Sequence, residues 1–517
     1  MTHICMLAAE NDTIPGGKVG GIGDVVRDIP RTLASQGATV TVIIPAYGAF
    51  HRLPGATLLG VCTCLFRGRT ERIEVFELFA ERDPGVRYLV IHHPLLAAGG
   101  VGRVYCDDDA DQPFATDANK FALFCVASLS VIQESMTGAV DVLHLHDWHT
   151  GLAAALIKYD HTYQSLQELK VVFSIHNLAL QGIRPFAENP SSLQAWFPHL
   201  QYDPSALADP RWPQCVNPIA SAIRLADVVH TVSPTYAREI VQANDAARGF
   251  HGGEGLEADL QMAATQGRLV GIINGIDYDT PVAKRMSWAG FMQAAADEML
   301  GLIARKPELR TLDYTAHQRL LRWANQPRPA HIITSVGRLT DQKMALLLQP
   351  LSDGRIPLDI ILTSMSGRGM LLLLGSGDTL LEQHCRDIAT RHPHFIFLNQ
   401  YSQTLSDLLF SNGDLFLMPS SFEPCGISQM LAMRHAQPCL AHAVGGLCDT
   451  IDDDVDGFLF SGDSLESQST ALLQRLDSVL SMREKKPDTF RKIAAQSRLQ
   501  RFEWHDSASR YLSELYS

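Results

Sequence analysis

Short runs of continuously apolar residues alternate along the chain with longer stretches that have helical periodicity. Runs of this length are typical of parallel β-strands that are covered by helices on both faces. In the N-terminal half the predicted strands are His3–Ala9, Thr39–Pro45, Val140–His146, Val171–His176, Val228–Val232 and Val270–Ile273. The predicted helices between them are Ile22–Gln36, Asn119–Glu134, Gly151–Lys158 and Ile219–Ala226.

The same alternation returns in the C-terminal half, after a segment at 281–329 that has no strand pattern. There the predicted strands are Ile332–Val336, Met370–Leu374, Phe395–Leu398, Leu415–Met418 and Cys439–Ala443. This alternation predicts the α/β class, with two doubly wound Rossmann-like domains. Open sheets of this kind bind ligands at the carboxyl ends of their strands, so two such domains facing each other predict a cleft.

The two sets of strands divide the chain into four predicted regions. Residues 1–270 form the first Rossmann-like domain, and residues 330–488 form the second. Residues 271–329 are predicted to be a connector or an insertion. The last region, 489–517, reads as a C-terminal helix that could pack back on the first domain.

Composition narrows the class of protein. The chain has 517 residues, of which 46% are hydrophobic and 19% charged, which fits two globular domains. A net charge of −13 argues against nucleic acid or an anionic membrane as the main partner. Ten scattered cysteines, several inside apolar runs, indicate a reducing compartment. With neither a signal peptide nor a membrane-spanning window expected, the prediction is a cytoplasmic enzyme.

Two polar clusters follow predicted strands in the N-terminal half. Lys18, Gly20 and Gly21 lie in a glycine-rich turn before a helix, where backbone N–H groups can bind an anion, although a purely structural turn is an equal alternative. The run HLHDWH, at 144–149, suggests a metal, but no outside ligand set accompanies it. We therefore favour hydrogen-bonded strand-end residues, with Asp147 and His176 as candidates to bind a sugar hydroxyl.

Two further clusters follow predicted strands in the C-terminal half. Arg338 and Lys343 are two cations near a helix start, which suits a diphosphate, although solvated surface charges are an equal alternative. Glu423 precedes Cys425–Ile427, a segment predicted to begin a helix with its N–H groups toward phosphate. Anion-binding devices in both halves, with hydroxyl-binding carboxylates, predict a sugar nucleotide as ligand. The aspartate runs at 107–109 and 452–454 read as solvated loops, and no metal is assigned.

Seven motifs together resemble the bacterial glycogen synthases and plant starch synthases, which are retaining transferases of the two-domain GT-B fold. In chain order they are KVGGIGDVV, HLHDWHTGL, VFSIHNLALQG, INGIDYD, GRLTDQK, SSFEPCGISQM and GGLCDT. The chain departs from the family pattern at Val19, Gly23, Met344 and Ser421, where the family commonly has Ser or Thr, Ala, Gly and Arg.

The resemblance implies transfer of glucose from ADP-glucose to the nonreducing end of an α-1,4-glucan, with retained configuration and without metal or cofactor. It also implies roles for residues in the N-terminal half. Lys18, Gly20 and Gly21 would line the phosphate and acceptor side of the cleft. A second group would contact donor or acceptor near the transferred glucose, and its members are Asp147, His176 and Asn274.

For the C-terminal half, the resemblance implies the donor site. Arg338 and Lys343 would hold the diphosphate, and Tyr401 would stack on adenine. Glu423 would lie by the glucose hydroxyls, with the N–H groups of Cys425, Gly426 and Ile427 near phosphate. The implied mechanism is front-face attack, in which the leaving phosphate helps to deprotonate the acceptor.

Three alternatives stay open from the sequence. One is the same fold and chemistry with another acceptor or with UDP-glucose as donor. Another is a glucan-binding regulatory protein with impaired catalysis, against which Arg338, Lys343 and Glu423 argue. The last is a phosphorylase, which would need a lysine-bound pyridoxal cofactor.

Overall fold

The computed structural model describes residues 2–80, 83–110, 112–306 and 310–517. Within it the chain divides into two compact units. Unit 1 comprises the chain up to Asn244 together with Gly252–Asp277 and Glu503–Ser517. Unit 2 comprises Asp245–His251 and Tyr278–Phe502.

Unit 1 is built on a mostly parallel sheet. Its strands are β1 (His3–Leu7), β2 (Thr39–Pro45), β3 (Thr57–Phe66), β4 (Arg69–Leu78), β5 (Val86–His92), β6 (Val142–His146), β7 (Lys170–Ile175), β8 (Arg184–Pro185), β9 (Cys215–Val216), β10 (Val228–Thr231) and β11 (Leu269–Gly271). In the described residues, nine of them form one sheet in the order β11-β10-β7-β6-β1-β2-β5-β4-β3, while β8 and β9 pair separately.

Helices cover this sheet in the manner of a doubly wound fold. They are α1 (Gly21–Ser35), α2 (Ala115–Gln133), α3 (Trp148–Tyr159), α4 (Leu193–Trp196), α5 (Pro204–Leu207), α6 (Pro218–Leu225), α7 (Pro234–Glu239) and α8 (Glu257–Thr265). The sequence of α1 explains how such a helix packs. Val25, Ile29 and Leu33 recur every four residues and are buried, so one stripe of the helix packs on the sheet.

The antiparallel extension of this sheet is the part that the apolar pattern did not predict. Strand β4 pairs antiparallel with both β3 and β5, whereas β5 pairs parallel with β2. Along β3 the buried residues Cys62, Cys64 and Phe66 alternate with exposed ones, but the exposed set includes the apolar Val61 and Leu65. The two-residue period of a half-buried strand is therefore hidden.

Unit 2 contains a second, wholly parallel sheet. Its strands are β12 (His331–Val336), β13 (Gly369–Leu374), β14 (Phe395–Leu398), β15 (Leu415–Met418), β16 (Cys439–His442) and β17 (Phe458–Phe460). In the described residues their order is β14-β13-β12-β15-β16-β17. The helices are α9 (Trp288–Ala304), α10 (Thr311–Ala324), α11 (Asp341–Leu348), α12 (Pro357–Met365), α13 (Thr379–Arg391), α14 (Gln403–Asn412), α15 (Ser428–Arg434), α16 (Gly445–Thr450), α17 (Leu465–Lys485) and α18 (Pro487–Leu499).

The chain then returns to unit 1 through α19 (Trp504–Arg510) and a π-helical turn, Tyr511–Leu515. The indole of Trp504 donates to Asp28 of α1 at 3.0 Å, and Tyr511 and Leu515 are buried in the core of unit 1. The last predicted region is therefore split, because α18 lies in unit 2 and only the chain from Glu503 lies in unit 1. The predicted connector contains α9 and α10, which belong to unit 2.

One sequence expectation is wrong for α2. This helix is long and apolar enough to cross a membrane by length and composition alone, although no such window was expected. In the structure 89% of the apolar 18-residue segment of α2 is buried, which is typical of a core helix in a globular domain. Its apolar residues pack in the core of unit 1.

Candidate active site

The glycine-rich turn of unit 1 is held by a carboxylate at the end of β1. Glu10 is 2% exposed, and its Oε2 accepts from the backbone N–H of Val19 at 2.8 Å and of Gly20 at 2.5 Å. Gly20 caps α1, which begins at Gly21. The N–H groups of Val19 and Gly20, at the turn predicted to bind an anion, are thus bonded to Glu10.

Lys18 lies at the edge of the same turn. Its Nζ is 2.6 Å from Asp24 and 3.5 Å from Asp12, so its charge is shared between two carboxylates. The other oxygen of Glu10 accepts from the hydroxyl of Tyr105 at 2.7 Å, and that hydroxyl lies 3.2 Å from Nε2 of His149. Glu10 and Tyr105 were not predicted, since they are joined to the turn only by the fold.

Asp147 and His176 are brought together at the carboxyl ends of β6 and β7. Oδ1 of Asp147 accepts from the backbone N–H of His176 at 2.6 Å. Burial raises the pKa of Asp147 to about 7, and the hydrogen bonds from the N–H groups of His176 and Asn177 only partly offset that rise. Its backbone has a positive φ of 55°, which re-aims the chain between β6 and α3.

His176 is held by a second histidine. Its Nε2 lies 2.9 Å from Nδ1 of His146, the last residue of β6. Burial lowers the pKa of His176 to about 4, so its ring is neutral at pH 7. Asn274, which follows β11, is 4% exposed and its Oδ1 has no hydrogen-bond partner among the described residues. This buried acceptor is therefore available to a donor group of a ligand.

In unit 2 the predicted cation and carboxylate form an ion pair. Nζ of Lys343, in the first turn of α11, contacts Oε2 of Glu423, which also accepts from the hydroxyl of Ser420 at 2.9 Å. Glu423 is 6% exposed. The backbone N–H of Ser421 donates to the carbonyl of Gln342 at 2.8 Å, which fastens this loop to the start of α11.

Arg338 lies at the end of β12 and Tyr401 at the end of β14. Both are more exposed than Lys343 and Glu423. Arg338 is exposed and, among the described residues, has no ion-pair partner. Tyr401 is 63% exposed, and its hydroxyl donates to Gln403 at 2.8 Å. An exposed guanidinium and an exposed ring suit contact with a ligand, and their predicted roles stay predictions.

The predicted helix start at Cys425 is wrong. Helix α15 begins at Ser428, with Ile427 as its N-terminal cap. Gly426 has a φ of +76°, a conformation that keeps the chain out of a right-handed helix at that point. The side chain of Gln429 donates to the carbonyls of Cys425 and Gly426, each at 3.1 Å, so these residues form a fastened loop before the helix.

Among the residues that the structure describes, no group of three or more His, Cys, Asp or Glu side chains is arranged to hold a metal ion. The histidines of the HLHDWH run bond to other side chains instead. His144, for example, contacts the hydroxyls of Tyr516 at 2.7 Å and Ser174 at 2.6 Å. The absence of a metal from the reaction stays a prediction.

Comparison with known proteins decides the family. Residues 3–262 match the family described as the starch synthase catalytic domain, and residues 330–478 match the glycosyl transferases of group 1. A glycogen synthase of Streptococcus equi subsp. zooepidemicus is 32% identical over 467 residues, which cover 87% of this chain and 85% of that protein. The chain belongs to the glycogen and starch synthase family.

Other members of the glycogen and starch synthase family match along the whole chain. The glycogen synthase of Streptococcus agalactiae serotype III is 30% identical over 538 residues, covering 99% of each chain. The catalytic domain of starch synthase IV from Arabidopsis thaliana, solved with ADP and acarbose, is 25% identical with a TM-score of 0.73, and the match covers 100% of this chain and 98% of that one.

These matches confirm the predicted α/β GT-B fold with its two Rossmann-like domains. They also confirm glycogen or starch synthase activity, which is the coarser part of the function that the motifs implied. As a glycogen synthase, the chain is a glucosyltransferase whose substrates are a nucleotide sugar and an α-glucan.

Proposed function

We propose that ADP-glucose is the donor and that glucose is transferred, with retention of configuration, to the nonreducing end of an α-1,4-glucan. The choice of nucleotide rests on one observation: the solved starch synthase IV, which matches this chain over its full length, is bound to ADP. Acarbose bound to the same protein supports a glucan acceptor. The exposed ring of Tyr401 offers adenine a stacking surface.

The donor end of the proposed site is built from unit 2. Lys343 and Arg338 are the cations for the diphosphate, and Glu423 faces the glucose hydroxyls. Lys343 and Glu423 are in direct contact. A diphosphate held by Lys343 and a glucose ring held by Glu423 would therefore be joined at the bond between them. We assign that bond to the linkage between the anomeric carbon and the departing phosphate.

The chemistry proposed for these residues is charge stabilisation. As the anomeric bond breaks, negative charge collects on the leaving diphosphate, and fixed cations stabilise it more than they stabilise the bound donor. The leaving phosphate then accepts the proton of the attacking glucan hydroxyl on the same face. This front-face route would need no residue as covalent nucleophile.

The proposed contacts from unit 1 are made by residues at the strand ends and by the glycine turn. Asp147, His176 and Asn274 would hydrogen-bond sugar hydroxyls near the transferred glucose. Lys18 and Gly21 would border phosphate and acceptor. Gly20 would act mainly through the geometry of the turn, since its N–H donates to Glu10. Cys425, Gly426 and Ile427 would shape the phosphate side of the donor loop.

We further propose that the reaction needs neither a metal nor a cofactor, and that the enzyme works in the cytoplasm. Among the residues that the structure describes, the cysteines form no disulfide, which fits a reducing compartment.

The test is steady-state transfer of labelled glucose to glycogen by the purified chain, with ADP-glucose and UDP-glucose compared in the presence and absence of a chelator. We expect higher kcat/KM with ADP-glucose and no effect of chelation. Equal or better use of UDP-glucose would refute the donor assignment. A loss on chelation that magnesium or manganese restores would refute the metal-free reaction.

A further inference from the structure

The two neutral histidines at the ends of β6 and β7 form a contact that none of the proposed substrate contacts uses. Nδ1 of His146 lies 2.9 Å from Nε2 of His176, and their rings stack with centroids 5.2 Å apart and an interplanar angle of 26°. His146 is 0% exposed, whereas His176 keeps 9% of its surface exposed. The inner ring is therefore sealed in the core, while the outer ring retains some access to solvent.

The buried environment leaves each ring with a single N–H. Burial holds the pKa of both histidines below the ordinary value, so neither ring carries a second proton at pH 7. A contact of 2.9 Å between two nitrogens then requires that one of them donates and the other accepts.

The far nitrogen of His146 decides the direction of this hydrogen bond. Nε2 of His146 is buried and has no hydrogen-bond partner among the described residues. If His176 donated, the proton of His146 would sit on that nitrogen as a buried N–H without an acceptor, an arrangement that folded proteins rarely tolerate. If His146 donates from Nδ1, only a lone pair is left unsatisfied, which is the less costly defect.

We propose that His146 is a positioning residue that donates from Nδ1 to Nε2 of His176, fixes the proton of His176 on Nδ1, and so presents that N–H to an oxygen of the transferred sugar. The inference rests on the proposed role of His176 and goes beyond it by assigning the tautomer and its cause. The backbone N–H of His176 is held in addition by Asp147 at 2.6 Å, so the ring and the backbone of His176 are both held by residues at the end of β6.

His144 provides a matched control. It lies two residues earlier on the same strand, is 0% exposed, and stacks on His146 with centroids 4.3 Å apart. Its nitrogens bond to Tyr516 and Ser174 rather than to His176. His144→Phe and His146→Phe thus both keep a ring in the core and both remove hydrogen bonds, but only the second removes the bond to His176.

The direct test is nitrogen NMR of the full chain labelled with ¹⁵N-histidine, in which two-bond couplings show which ring nitrogen carries hydrogen. The signal of His176 is identified by its loss in His176→Ala. We expect hydrogen on Nδ1 in the wild type and in His144→Phe. Hydrogen on Nε2 of His176 in the wild type would overturn the proposal, whether or not any His146 variant folds.

Kinetics supply the second readout. We expect His146→Phe to lower kcat by about 10–100-fold, the range seen in metal enzymes when a partner that orients a ligating histidine is lost. His146→Asn places an amide N–H near the position of Nδ1 and should recover most of that activity, while His144→Phe should keep the wild-type kcat despite a lower Tm.

Wild-type turnover in His146→Phe beside an inactive His176→Ala would refute the inference alone. Equal losses in His146→Phe, His146→Asn and His144→Phe would also refute it, because they would indicate only a shared effect on packing. Wild-type turnover in His176→Ala would instead refute the proposed role of His176.

Discussion

The ion pair between Lys343 and Glu423 predicts that Lys343 stabilises the fold and that Arg338 does not, although the two cations have a similar proposed function. Lys343→Met keeps the alkyl chain and removes the charge. Glu423, whose side chain is 8% exposed, would then retain only the hydroxyl of Ser420 among its described side-chain partners. A buried carboxylate that loses its cation is left with an uncompensated desolvation cost.

The size of the effect follows from exposure. Removing one partner of a fully buried ion pair costs about 3–5 kcal/mol, whereas an exposed pair contributes about 0–1 kcal/mol. The side chain of Lys343 is 25% exposed and that of Glu423 is 8% exposed. We therefore expect a loss of about 1–3 kcal/mol in the free energy of unfolding, between those two limits.

The assay is calorimetric melting of unit 2 within the full chain, in which 1 kcal/mol shifts Tm by about 2–4 °C for a domain of this size. Arg338→Met is the matched control, because Arg338 is exposed and without an ion-pair partner among the described residues; its Tm should match the wild type. Lys343→Met combined with Glu423→Gln should recover much of the loss. Equal melting of the Lys343 and Arg338 variants would show that Lys343 does not compensate the buried charge of Glu423.

Three further outcomes are expected. Arg338→Ala should lower kcat by about 10²–10³-fold, the usual effect of removing one fixed donor from a developing charge, with Tm unchanged; near-normal turnover would contradict its assignment to the diphosphate. Tyr401→Ala should raise the donor KM more than it lowers kcat, because stacking mainly stabilises the bound donor; an unchanged KM would exclude the stacking role. The pKa of Asp147 is about 7 in the folded chain against an ordinary 3.8, so the folded state binds the extra proton and the wild type loses up to about 4 kcal/mol of stability as pH rises from about 4 to 7. Asp147→Asn should not show that loss, and parallel curves of Tm against pH for the two proteins would contradict the raised pKa.

The sequence alone located most strand ends correctly, because buried parallel strands are continuously apolar and the chemistry-bearing residues follow them directly. Asp147 after β6, His176 after β7 and Arg338 after β12 were found in this way. The signal is local, since each residue stands next to the run that identifies it.

Contacts between residues that do not share a motif gave no such signal. Glu10 binds the turn nine and ten residues later, and Tyr105 joins it from 95 residues away. The start of α15 was misjudged for a different reason, because the left-handed conformation of Gly426 is permitted, but not required, by a glycine.

The central claim is tested most directly by following the reaction of the purified chain with ADP-glucose and a maltooligosaccharide by proton NMR. We expect loss of the ADP-glucose anomeric signal, matched by growth of an α-1,4 internal signal and release of ADP, with each product one glucose longer at its nonreducing end. Release of free glucose without elongation, a β-configured product, or no turnover of ADP-glucose would contradict it.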